Sequence, residues 1–179
     1  MRRYKLRKRL DEHALTFSWN SGLDEAHNIV LPYSWGQPTA QGGPPVPDSP
    51  ASQESSYCHA LVHRKEGEHD GELGLTGWSN SCFWFRTAGR HGLYPEVQAM
   101  AREICMRYGE LDGGGGGRRL GERSVWDPDE FTMLCRKALA ADAEEKDGGG
   151  GRLEQFCNEV AGAEWKVLLD TCVKGANEA

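Results

Sequence analysis

The chain has 179 residues, a net charge of -6 and a pI near 5.5, enough for one domain and without the positive field that marks a nucleic-acid binder. Hydrophobic residues make up 38%, and the mean hydropathy is -0.65. No apolar run approaches the roughly 20 residues of a membrane span. Much of the polarity lies in a few Gly, Pro and charged segments, so the remainder can still bury a core.

Residues 1–20 open with MRRYKLRKRL, six positive charges in ten positions. Such a run reads as a solvated segment, and it leaves a nuclear or organellar address open on an otherwise cytoplasmic, intracellular expectation. Asp11 and Glu12 follow at once, which argues against a transit peptide. No apolar stretch of signal-peptide type comes after the basic start. There is also no CxxC pair, so the six cysteines read as reduced thiols, with Cys105, Cys135, Cys157 and Cys172 on apolar helix faces.

A first helix is predicted from Ser21, a capping residue with Asp24 three positions on. Leu23, Ala26, His27 and Val30 share its inner face, and Pro32 is expected to end it. Residues 36–54 hold five prolines and three glycines without periodicity, and read as a surface loop. Ser55 or Ser56 then offers a cap to a second helix, which Gly67 closes.

That second helix carries the most specific pattern in the chain. His59, His63 and Glu66 stand at i, i+4 and i+7, steps of about 400° and 300°, so their side chains share a stripe about 60° wide. Two imidazoles and a carboxylate on one stripe suit a transition metal. The inward His27 offers a third imidazole from another helix. The resulting set fits Zn, Fe, Mn or Cu. Ala60 stands where HExxH would need its glutamate, so a zincin mechanism is not indicated.

Beyond a Gly-rich, acidic loop at 67–77, a shorter helix is predicted over Asn80–Ala88, stopped by Gly89. Pro95 begins a helix with Val97, Met100, Ala101, Ile104 and Tyr108 on one face. Runs of glycine at about 112–121 and 146–151 read as linkers. Between them Asp127-Pro128-Asp129-Glu130 spells a helix start, with Phe131, Leu134, Cys135 and Ala138 following at helical spacing. The last helix keeps a 3–4 period from Leu153 to Cys172, and no segment alternates as a strand. The expectation is all-α: a compact bundle of five or six helices in a single domain over residues 21–179, with long Gly/Pro-rich loops.

Around the metal pattern, several polar residues are candidates for chemistry. Glu25 beside His27 is placed as a general base and His91 as an acid. Arg64 beside His63 would manage charge. Asn80, Trp84 and Arg86 are the candidate substrate-binding residues, the arginine as a clamp for an anion and Trp84, with Trp78, as an apolar wall.

The stretches carrying Asp24, Glu25 and His27; His59, His63, Arg64 and Glu66; Asn80, Trp84, Arg86, Gly89 and His91; Trp126, Asp127, Pro128 and Phe131; and Glu164, Trp165, Leu168 and Asp170 resemble a group of short bacterial and fungal proteins. Their shared pattern is a DExH helix, an HxxxHRxE helix, an NxxYWxRxxGxH segment and a WDPxxF helix. The chain departs from it at Ser81, Thr87 and Gly92 and in insertions at 36–54 and 67–77. The resemblance implies a shared site without naming a substrate. The NSCFWFRTAG segment is also similar to one line of the Sel1/TPR helical repeats, but no second copy occurs here.

Together these readings point to a small metal-dependent enzyme of lyase, hydrolase, hydratase or isomerase type. Its partner would be a small polar or anionic molecule, with no nucleic acid and no membrane, and a homo-oligomer is left open. The alternative is a non-catalytic α-helical, Sel1/TPR-like interaction module.

Overall fold

A computed structural model describes residues 22–44, 52–70, 75–109, 120–144 and 151–178. The basic segment, Ser21 and most of the glycine linkers lie outside the described residues. Six helices carry the fold: α1 (Leu23–Ser34), α2 (Ser52–Asp70), α3 (Leu75–Ala88), α4 (Tyr94–Tyr108), α5 (Pro128–Glu144) and α6 (Arg152–Glu178). No strand occurs among the described residues beyond an isolated bridge between Thr39 and Gly43. The protein is an all-α helical bundle. No helix of the described residues is long and apolar enough to cross a membrane. All six cysteines are free.

The described residues group into two compact units, those within 22–91 together with 168–178, and those within 92–167. In the first, α2 packs against both α1 and α3. Its inner faces bury Ala26, Ile29, Val30, Tyr57, Leu61, Val62, Trp78, Trp84 and Phe85.

Pro32 does not end α1; it lies inside the helix, which runs on to Ser34. Proline lacks the N–H that would bond the carbonyl of Asn28. The Thr39 hydroxyl donates to that carbonyl instead, and Thr39 Oγ1 accepts from Gly42 N at 2.9 Å. The first part of the 36–54 segment therefore folds back on α1. Tyr33 Oη donates to Gly42 O at 3.2 Å, which strengthens the same contact.

The start of α2 also falls earlier than expected. Ser55 and Ser56 are buried within the helix, and the chain is already helical at Ser52. Gln53 supplies a reason. Its amide donates to Ala88 O at 2.8 Å and Arg90 O at 2.6 Å, satisfying carbonyls left open where α3 ends. Gly89, at φ +69°, takes the conformation that stops α3 there.

The loop expected at 67–77 is helical on both sides: α2 continues through Gly67 to Asp70, and α3 begins at Leu75. Gly67 is not a stop but a crossing point. A Cβ on it would sit 2.7 Å from the Trp78 ring, and a Cβ on Gly77 would sit 2.5 Å from Gly67 N. Two glycines thus let the backbones of α2 and α3 touch.

The second unit follows the sequence more closely. Pro95 sits in the first turn of α4. Asp127 Oδ1 accepts from Glu130 N at 3.0 Å, the cap that the D-P-D-E run predicts. Gln98 donates to Leu120 O at 2.9 Å and Arg102 Nε to Gly121 O at 3.1 Å, fixing a short helical turn at 120–122 on α4. Phe156, Cys157 and Val160 of α6 are buried at the expected spacing.

Candidate metal centre

Helices α1 and α2 each present a stripe at i, i+4, i+7: His27, Leu31 and Ser34 on one, His59, His63 and Glu66 on the other. The stripes run in opposite directions. Ser34, at the end of α1, meets His59 near the middle of α2, while His27 meets both His59 and His63, at ring-centroid distances of 4.6 and 5.1 Å. One nitrogen from each of His27, His59 and His63 lies within 4.8 Å of the others. A tetrahedral ion with bonds of about 2.1 Å needs its nitrogens about 3.4 Å apart, so the rings would close by roughly an ångström around one. These three histidines could hold a metal ion.

Hydrogen bonding sets which nitrogen of His59 and of His63 is available. Ser34 has one hydroxyl proton, and it goes to Val30 O at 2.8 Å, an acceptor only. Toward His59 Nδ1, also at 2.8 Å, the hydroxyl can offer only a lone pair, so Nδ1 carries the proton. His59 Nε2 is then left with its lone pair, buried and without a hydrogen-bond partner. Burial pushes the His59 imidazole down to about 2, with His63 and His27 adding to the effect, so the ring is neutral.

Glu66 acts on His63 in the same way. Its Oε2 lies 2.6 Å from His63 Nδ1. Burial pushes the Glu66 carboxyl up, but the His63 hydrogen bond and the nearby His63 and His27 rings more than reverse this and hold it low. An ionised carboxylate only accepts, so Nδ1 of His63 donates, and Nε2 is the nitrogen left to face an ion. Glu66, expected among the ligands, instead bonds the back of a candidate ligand, as carboxylates do behind metal-bound histidines. His27 is lowered too, first by burial and then by His63, against smaller opposing effects of Glu66 and Asp24.

A cavity of about 400 Å³ adjoins the three rings, and Leu31, Trp35, Asn80, Phe83 and Trp84 complete its lining. The Trp84 indole stacks on the His59 ring at 4.0 Å and 18°, with His63 at 4.7 Å and 20° on that ring. His59 is thus held by ring stacking as well as by Ser34. Two of the expected substrate-binding residues, Asn80 and Trp84, line the cavity.

The other expected residues lie elsewhere. Glu25 and Arg86 are exposed, and neither lines the cavity. Arg64 is fully buried, its guanidinium carbon 5.8 Å from the centre of the Phe85 ring. His91 is buried edge-on to Tyr57 at 4.8 Å. Trp78, expected as a wall, packs over Gly67. The physical reason is common to Arg64 and His63: neighbours on a helix diverge by about 100°, so adjacency in sequence separates two side chains rather than joining them. Reading the sequence missed Ser34, Leu31, Trp35 and Phe83. Continuing the His27 stripe by four and seven residues would have found Leu31 and Ser34.

No protein-family model, curated protein or solved structure matches the chain.

Proposed function

We propose that the protein is a small metal-dependent enzyme in which His27, His59 and His63 bind one divalent ion facing the cavity. The observation that carries this reading is His59 Nε2, buried without a hydrogen-bond partner while Nδ1 of the same ring is taken by Ser34. Burying such a group without a partner costs about 1–3 kcal/mol, and a metal ion is the partner that would also use His27 and His63. With Glu66 turned to His63 the ligand set is all nitrogen, which favours Zn, Fe or Cu over Mn. The motif resemblance to short bacterial and fungal proteins belongs to the same proposal, since its histidines coincide with these three.

Among the described lining residues there is no carboxylate, lysine or arginine. The reaction class that fits is hydrolysis or hydration, for which an ion held by His27, His59 and His63 would supply Lewis acidity and an activated water. Ser34 and Glu66 are positioning residues that hold the ligand rings in the correct tautomer.

The test is elemental analysis of tag-free protein after equilibration with zinc or cobalt and gel filtration. One equivalent of metal per chain, lost in His59→Ala and His63→Ala with helicity retained, supports the reading. A wild-type protein that binds no metal overturns it and leaves the helical interaction module.

A further inference from the structure

Resting on that metal site, we infer that its substrate is a small molecule with a planar, apolar body and one oxygen donor, uncharged or singly negative. The cavity walls carry the argument. Besides the three histidines, Asn80 is the one polar residue among the described lining; Leu31, Trp35, Phe83 and Trp84 supply the rest.

The aromatic trio forms one wall of mutually packed rings. Trp35 meets Trp84 edge-on at 5.3 Å and lies 6.3 Å from Phe83 at 38°, while Phe83 meets Trp84 edge-on at 5.2 Å. A flat guest laid against this wall would meet aromatic surface, a contact that attracts beyond simple burial. Trp35 and Phe83 remain 58% and 50% exposed although both line the cavity. Their apolar area would leave water when a ligand enters, a gain of about 25 cal/mol per Å². A volume of about 400 Å³ lies within the usual range for small-molecule sites.

Charge limits the ligand further. Arg64 and Arg86, the candidate anion clamps, do not line the cavity. A divalent ion on neutral imidazoles can balance one negative oxygen, but a second carboxylate or a phosphate dianion would face tryptophan and phenylalanine rings without compensation. Asn80 can place one further hydrogen bond.

The experiment compares two probes with the same metal-binding group, benzohydroxamate and acetohydroxamate, on the cobalt-loaded full chain. Binding is read from the visible cobalt spectrum. The expected result is at least tenfold tighter binding of benzohydroxamate, with the ratio falling toward one in Trp35→Ala and Phe83→Ala at unchanged cobalt content. Both side chains are half exposed, and a circular dichroism spectrum matching wild type confirms their folding. Equal binding of the two probes by the wild type overturns this inference and leaves the metal site standing. Equal binding of benzohydroxamate by chelator-treated protein, followed by tryptophan fluorescence, also overturns it, because the ring alone would then suffice. Failure of the wild type to take up cobalt overturns the metal reading itself.

Discussion

A Cβ on Gly77 would lie 2.5 Å from Gly67 N, 2.8 Å from Gly67 Cα and 2.9 Å from His63 O. All three neighbours are backbone of α2, so no side-chain rotation relieves the overlap. Gly77→Ala is therefore expected to push α3 away from α2 beside a candidate ligand. The cost in stability should be about 1–3 kcal/mol, typical of overpacking, and metal affinity should fall with it. Urea unfolding and zinc titration check both. Gly67→Ala meets the Trp78 ring rather than backbone and should be milder than Gly77→Ala.

How far the sequence discloses this site depends on what each residue is competing to do. The His59, His63, Glu66 stripe is legible because helical geometry alone joins those positions. Pro32 and Gly67 both read as stops, since each weakens a helix locally. In the fold, Thr39 compensates for Pro32, and Gly67 is required by the crossing with α3. Taking Pro32 as the end of α1 hides Ser34 and Trp35, one a hydrogen-bond partner of a candidate ligand and the other a wall of the cavity. Whether Glu66 ligates an ion or bonds the back of His63 depends on side-chain rotamers, which no spacing rule resolves. The all-α class needs none of that detail and follows from periodicity.

Ser34→Ala removes the acceptor for His59 Nδ1–H and frees the ring to choose its other tautomer. Metal affinity is expected to drop by about 10- to 100-fold, the usual range for such partners, while a full equivalent still binds at saturating zinc. Glu66→Gln should act through His63 in the same sense, because a neutral amide oxygen accepts less strongly than a carboxylate. Competition against a zinc indicator measures both. An unchanged affinity in Ser34→Ala would contradict the proposed tautomer control.

Residues outside the cavity should separate from those within it. Glu25→Gln and Arg86→Ala alter exposed side chains away from the lining, so metal content and probe affinity are expected to stay within about twofold of wild type. Arg64→Ala is different, for the side chain is fully buried against Phe85. Its loss should lower stability by about 3 kcal/mol or more and show as a fall in the thermal midpoint.

Acid should unfold the metal-free protein through His59 first. Its ring is held neutral down to about 2 by burial, with help from His63 and His27, whereas in the unfolded chain it protonates near 6.5. Below pH 6.5 the unfolded state therefore binds more protons than the folded state, and stability falls as pH falls. The contribution present above 6.5 is lost at about 1.4 kcal/mol per unit across the window toward 2. His27 is shifted in the same direction and adds to the slope. Glu66, held low, also loses stabilisation in acid, but that begins only below the ordinary glutamate range. Between pH 7 and 5 the imidazoles thus act alone among the three, and in chelator the unfolding free energy should drop by about 2 kcal/mol from His59 alone. A His59→Gln variant removes that group, so its unfolding free energy should change less over the same interval. If wild type and His59→Gln lose stability in parallel from pH 7 to 5, His59 is not buried as a neutral base, and the lone pair on which the metal centre rests is lost with it.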